Sequence, residues 1–334
     1  MTANLHSGVR YRRIGLSAIV LAALAASFAG STTVPAQDYP SRAVKIIVPF
    51  PAGGTADAMP RVVADYLSRK WGQPVVIENR SGAGGNVGAE AAYKSDADGY
   101  TLLSAPAPPL VINHNLYPRL GFDPLKFEPI AVMGSVPNAL LTNPGFPPNS
   151  VAEVIAYAKA NPGKIISATQ GNGTTSHLTS ELFQMLAGVQ VTHVPYRGAA
   201  PALSDLVGGT ANIMFDNLGV SLNQVKGGKV KLLGVATAKR MASLPDIPTI
   251  AETLPGFESA AWFAVVAPPG TPKQIVNKVN ADINEALRDP AVMKRMGNFS
   301  AEIVGGTVQQ TADYFRVEVD RWHKVIKAAN VKVE

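Results

Sequence analysis

Three loops carry small residues that can hold an anion without a charged side chain. Pro49-Phe50-Pro51-Ala52-Gly53-Gly54-Thr55-Ala56-Asp57 follows an apolar run and precedes a helical pattern. Ser81-Gly82-Ala83-Gly84-Gly85-Asn86 stands in the same position after the next apolar run. Thr169-Gln170-Gly171-Asn172-Gly173-Thr174-Thr175-Ser176-His177 repeats the pattern further on. Glycine lets the backbone approach a ligand closely, and the helix start behind each loop offers free N–H groups and partial positive charge. Thr55, Thr174, Thr175 and Ser176 can cap the helix or donate to an anion. Taken singly, such a loop is a tight turn with an N-cap. Three of them in one chain point to a site for a small anion.

Other chemistries lack their residues. No G-x-x-x-x-G-K-[ST] occurs, and Gly82-x-Gly84-Gly85-x-x-Gly88 is one residue out of step with the dinucleotide fingerprint. No G-x-S-x-G elbow appears after residue 36. His114, His177, His193 and His323 show no zinc-protease spacing, and the chain has no cysteine. Neither a metal nor a cofactor is expected, and no catalytic set is assigned. His177, one turn into its helix, can reach a ligand or tie its loop down. Asp57 reads as a residue that caps or positions its own helix start, and it can also accept from a ligand amine or hydroxyl. Asp216, after Met214-Phe215, suits a polar ligand group or a partner across the cleft, Trp262 suits a core, and Pro60 implies a late helix start or a kink.

These loops must be held by strands and helices. Val44–Val48, Pro74–Glu78 and Tyr100–Leu103 alternate with helical patterns over 56–70 and 87–94. A second set has helices over 151–160 and 176–186 and strands near 164–168, 191–194, 211–215 and 230–236. This alternation predicts an α/β fold with largely parallel sheets. Ile130–Met133 and Asn138–Leu141 flank Gly134–Pro137 as two short strands, and Ala261–Val266 forms a later one. The chain therefore crosses to a second lobe near 138 and returns near 261, with the C-terminal helices capping the first lobe. Two crossings make a hinge.

The N-terminus reads differently. Arg10, Arg12 and Arg13 precede an apolar run from Ile14 to Ala29, and Val34-Pro35-Ala36 precedes Gln37. This is the pattern of a secretory signal peptide over residues 1–36, cleaved after Ala36. Its removal lowers the net charge from +6 to +3, with 27 Lys and Arg against 24 acids. The remaining bases are scattered, which excludes a nucleic-acid footprint.

Tyr39–Asp57, Glu78–Gly88, Asp98–Leu103, Gly171–Leu178, His193–Gly198 and Leu244–Thr249 together resemble the Bug/TctC family. These are periplasmic solute receptors of tripartite tricarboxylate transporters. The resemblance implies a two-lobed periplasmic-binding-protein fold, type II-like, that closes on a carboxylate. The ligand is held by loops from both lobes, here Phe50–Asp57 and Gln170–His177, with ordered water assisting. With Asp216 added from its place after the strand, the candidate ligand-binding set is Phe50, Ala52, Gly53, Gly54, Asp57, Gln170, Gly173, Thr174, Thr175, His177 and Asp216. Lobe 1 is assigned to 37–138 with 261–334, and lobe 2 to 139–260. Ser81, Pro60 and the proline-rich Ser104–Ile112 depart from the family pattern, and the last can line the cleft. The expected partners are a small organic acid and integral-membrane transporter subunits; the protein is expected to be a periplasmic monomer. The competing readings are a secreted α/β hydrolase using His177 or His193, and a ligand-presenting partner of a sensor.

Overall fold

β1 (Val44–Val48) is buried along nearly its whole length, as suits a strand covered on both faces. It pairs in parallel with β2 (Val75–Asn79) and β3 (Thr101–Pro106). The computed structural model describes residues 1–3 and 39–329. Beyond its first three residues, the export signal expected over 1–36 lies outside the described residues. Arg42–Glu334 forms one compact unit, to which all that follows refers.

The first half of β4 (Glu128–Thr142) pairs with β9 (Ala260–Ala267) and β10 (Glu302–Gly305); β9 in turn pairs with β3. Its second half pairs with β7 (Ile213–Asn217) and β8 (Lys231–Val235). β7 leads on through β5 (Ile166–Thr169) to β6 (Thr192–Pro195), both in parallel register. The result is two lobes sharing one long strand, with β9 returning beside it. Where the sequence suggested two short strands around Gly134–Pro137, β4 runs straight through. Gly134 faces β10 so closely that a β-carbon there would lie 2.7 Å from Glu302 O, so this glycine serves a close approach rather than a turn.

Helices cover the sheet halves. α1 (Thr55–Trp71) and α2 (Asn86–Tyr93) belong to the first lobe. The second lobe carries α3 (Val151–Ala160), α4 (Thr175–Ala187), α5 (Ala199–Gly208) and α6 (Leu218–Lys226). α1 starts at Thr55, so Pro60 does not delay it; the helix passes through the proline.

The chain ends with α7 (Lys273–Arg288), α8 (Pro290–Gly297) and α9 (Val308–Ala329). α9 caps the first lobe: Trp322 and Ile326 join Leu103, Leu110 and Trp262 in its core. The Trp262 and Trp322 indole N–H groups both donate to buried Glu318 Oε2, at 2.7 and 2.9 Å. The second lobe has its own core around Phe183, Phe215 and Phe257.

Candidate functional site

The turn after β1 and the turn after β5 are built alike. In the first, Gly53 has φ +95° and α1 begins two residues later. In the second, Gly171 and Gly173 have φ +125° and +75°, and α4 begins at Thr175. Each turn is tied down by a side chain four residues beyond a loop glycine. Asp57 accepts from Gly53 N–H (3.3 Å), Arg61 Nε (2.9 Å) and Asn79 Nδ2 (2.9 Å). Burial pushes its carboxyl up, but these donors outweigh that and hold it below the usual carboxylate range. His177 Nδ1 accepts from Gly173 N–H (3.1 Å).

A backbone N–H can only donate, so the His177 Nδ1 must be bare and its proton sits on Nε2. Nε2 faces Glu181 Oε1 at 3.4 Å, and His193 Nδ1 approaches the same oxygen at 3.2 Å. Burial pushes the Glu181 carboxyl up, but the hydrogen bonds from the two imidazoles outweigh it and bring it to about 2. These three side chains have ligand atoms within 4.8 Å of one another, the spacing of a metal trio. A metal would need the Nε2 lone pair, which the tautomer withholds. The trio braces the loop.

The two helix starts face each other across a cavity of about 20 Å³, room for a water molecule or two. Thr55, Gly54, Ala56 and Phe50 line it from one lobe, and Gln170, Thr174, Thr175 and Ala199 from the other. Pro106, Pro108, Ala261 and Phe263 form an apolar wall, and Asn217 completes the lining. Among the described residues, no charged side chain lines it. Thr55 Oγ1 is buried without a partner among the described residues, and first-turn N–H groups of a helix have no partner within it. Past Phe50, Pro51, Gln170 and Gly198 lies an outer chamber of about 320 Å³, where Tyr117 and the exposed Arg197 stand.

The lobes are drawn together over this cavity. A β-carbon on Gly198 would lie 3.0 Å from the Pro51 ring, and one on Gly84 3.0 Å from Asn172 O. One on Gly173 would lie 2.9 Å from Leu116 Cδ1.

Residues 59–331 match the family described as the tripartite tricarboxylate transporter family receptor, TctC. The chain belongs to this receptor family. Protein BugT of Bordetella pertussis is 39% identical over 304 residues, 90% of this chain and 93% of its own. Among solved structures, R. palustris Rpa4515 with adipate superposes at TM-score 0.86 with 39% identity, covering 88% of this chain and 99% of that one. MatC from Rhodopseudomonas palustris with bound malate gives 0.82 and 33%, covering 86% and 100%. The two-lobed periplasmic-binding-protein fold expected from the sequence is the fold of these receptors.

In this receptor the residues singled out from sequence separate into cavity and support. Phe50, Gly54, Gln170, Thr174 and Thr175 reach the cavity. Ala52 and Gly53 are exposed at the turn, and Gly173 packs on Leu116. Asp57 and His177 stand behind the loops they tie. Even at the cavity the Thr174 hydroxyl is engaged: it donates to Gly171 O (2.7 Å) and accepts from His177 N–H (3.4 Å). Thr55 was legible as a possible donor; Asn217, in no motif, was not.

Asp216 is fully buried and does not line the cavity. Its Oδ1 accepts from Gln170 Nε2 (2.5 Å) and Asn217 N–H (2.8 Å), and its Oδ2 from Ser221 Oγ (2.5 Å). Burial pushes its carboxyl up to about 6 against the pull of these three donors. An acid raised in the folded state favours folding below its unfolded value of 3.8, and that contribution is lost as pH rises through about 6. Asp216→Asn is therefore expected to flatten the fall in Tm of the receptor between pH 4 and 7, relative to the parent. Parallel melting curves for parent and variant would refute this.

Proposed function

We propose that this receptor captures a small organic carboxylate between its lobes in the periplasm and delivers it to the integral-membrane subunits of a tripartite tricarboxylate transporter. The lobes are residues 37–138 with 261–334, and 139–260. The protein acts as a monomer and by capture rather than turnover. Residues 1–36 direct export and are removed after Ala36.

The observation that carries this reading is the convergence of two helix starts, one from each lobe, on a cavity without charged side chains. There the Thr55 hydroxyl is buried and has no partner among the described residues. Helix N-termini attract anions through free N–H groups and the helix dipole. The carboxylate is held by Gly54, Thr55 and Ala56 on one side and Thr175 and Ser176 on the other, with Phe50, Pro106 and Phe263 excluding water. Asp57, His177 and Thr174 keep the two turns in shape. The adipate and malate in the two related structures are ligands of this class.

The test uses protein released from the periplasm, whose mass is expected to fit a chain beginning at Gln37. Its melting is followed against a panel of organic acids. A ligand at about 100 times its Kd adds about 2.7 kcal/mol, a shift of several degrees. A melt unmoved by every acid, or hydrolysis of ester and amide substrates, would overturn the reading.

A further inference from the structure

The amide of Gln170 is locked in one orientation. Asn217 N–H is a fixed donor onto Asp216 Oδ1, so that oxygen carries no proton. The Gln170 atom 2.5 Å from the same oxygen must then be its NH₂ group, because a carbonyl oxygen there would meet a bare acceptor. Protonation of Asp216 does not change this. The proton goes to Oδ2, where Ser221 Oγ lies at 2.5 Å and can turn its own proton toward Asn217 O (3.3 Å). Gln170 Oε1 is thus left with no partner among the described residues, on a side chain that lines both the cavity and the outer chamber.

A second amide is fixed the same way. Thr179 gives its hydroxyl proton to Thr175 O (2.6 Å) and so accepts from Asn138 Nδ2 (3.0 Å). Asn138 Oδ1 then accepts from Asn217 Nδ2 (2.9 Å), which commits the Asn217 NH₂ and leaves its Oδ1 unengaged among the described residues. A cavity otherwise furnished with donors therefore has two residues with free amide acceptors in its lining. A plain carboxylate oxygen would be repelled there.

We infer that the ligand carries a hydrogen-bond donor close to its carboxylate, a hydroxyl or an ammonium group, which Gln170 Oε1 recognises. This rests on the carboxylate-receptor reading above and deepens it. Gln170 is a specificity-determining residue: sites built to pair with a polar group discriminate against analogues that lack it, because their own polar atoms are left unpaired.

The test compares acids of one skeleton with and without the donor: succinate, malate and aspartate, then propionate against lactate and butyrate against 3-hydroxybutyrate. Titration calorimetry on the full receptor is expected to give a donor-bearing acid about tenfold tighter binding, or more, than its plain partner. The malate and aspartate arms separate hydroxyl from ammonium. Gln170→Leu, checked for an unchanged melting profile, is expected to bring the pair within about twofold. Gln170→Glu keeps an acceptor and provides the second variant if the leucine form fails to fold; it is expected to keep a preference for the donor-bearing acid. Equal affinities across every pair in the parent, or a Gln170→Leu receptor that keeps the parent ratio, would overturn the inference while leaving a carboxylate receptor. Failure of every acid to bind would instead overturn the reading beneath it.

Discussion

Gly219→Ala is expected to abolish tight ligand capture while leaving both lobes folded. Gly219 sits at the start of α6 in the second lobe, and a β-carbon there would lie 2.1 Å from Phe299 O and 2.2 Å from Phe299 Cα in the first. Its backbone is helical, so alanine brings no conformational strain and raises helix propensity by about 1 kcal/mol. The three atoms nearest that β-carbon all belong to Phe299, across from the second lobe. An alanine receptor therefore stays apart at the point where the parent closes, and the ligand loses the donors of one loop. Hydrogen bonds to a charged group contribute about 1.5–3 kcal/mol each, so losing two or more weakens binding about a hundredfold or more. Small-angle scattering at saturating ligand should show the variant as extended as the unliganded protein. Parent-like affinity and compaction would mean that closure does not bring Gly219 onto Phe299.

The second large effect is expected at the first residue of each facing helix. Thr55→Val and Thr175→Val each remove a hydroxyl from the cavity wall at nearly constant volume. Each should weaken carboxylate binding about ten- to hundredfold. Thr174→Val should behave differently. Its hydroxyl caps α4, so its loss costs about 1 kcal/mol of stability and affects binding only through the loop. Arg197→Ala, exposed in the outer chamber, should change affinity by no more than a few-fold. Calorimetry on the four variants, after a check of folding, decides the matter. Parent-like binding by Thr55→Val together with loss of binding in Arg197→Ala would replace the neutral cradle with an arginine clamp.

Much of this organisation is legible in the sequence because it is local. Glycine and threonine at a strand–helix junction specify a turn and a cap through the chemistry of neighbouring residues, and the helices over 151–160 and 176–186 lie where periodicity places them to within a residue. What is not legible is long-range. Nothing near Asp216 announces that it will hold Gln170, which is 46 residues away. Nor does any local signal say that Asn138 and Asn217 will pair, or that β10 will press on Gly134. The split of β4 failed for the same reason: glycine and proline read as a break until a partner strand supplies the pairing. The sequence leaves His177 balanced between ligand contact and brace, and the Gly173 N–H bond, which supports the brace, appears only in the folded loop.

The shared strand also dictates an order of assembly. All strands of the second lobe, β4 to β8, lie within residues 128–235. Its sheet can therefore form from one continuous stretch of chain. The first lobe begins at residue 44 but lacks β9 until 267 and β10 until 305, and its core still waits for Trp322. Contacts this distant in sequence slow folding, because the intervening loop must close before they can form. The strands β1 to β3 can thus pair with one another early, but their core is completed only when the distant C-terminal helix packs onto it.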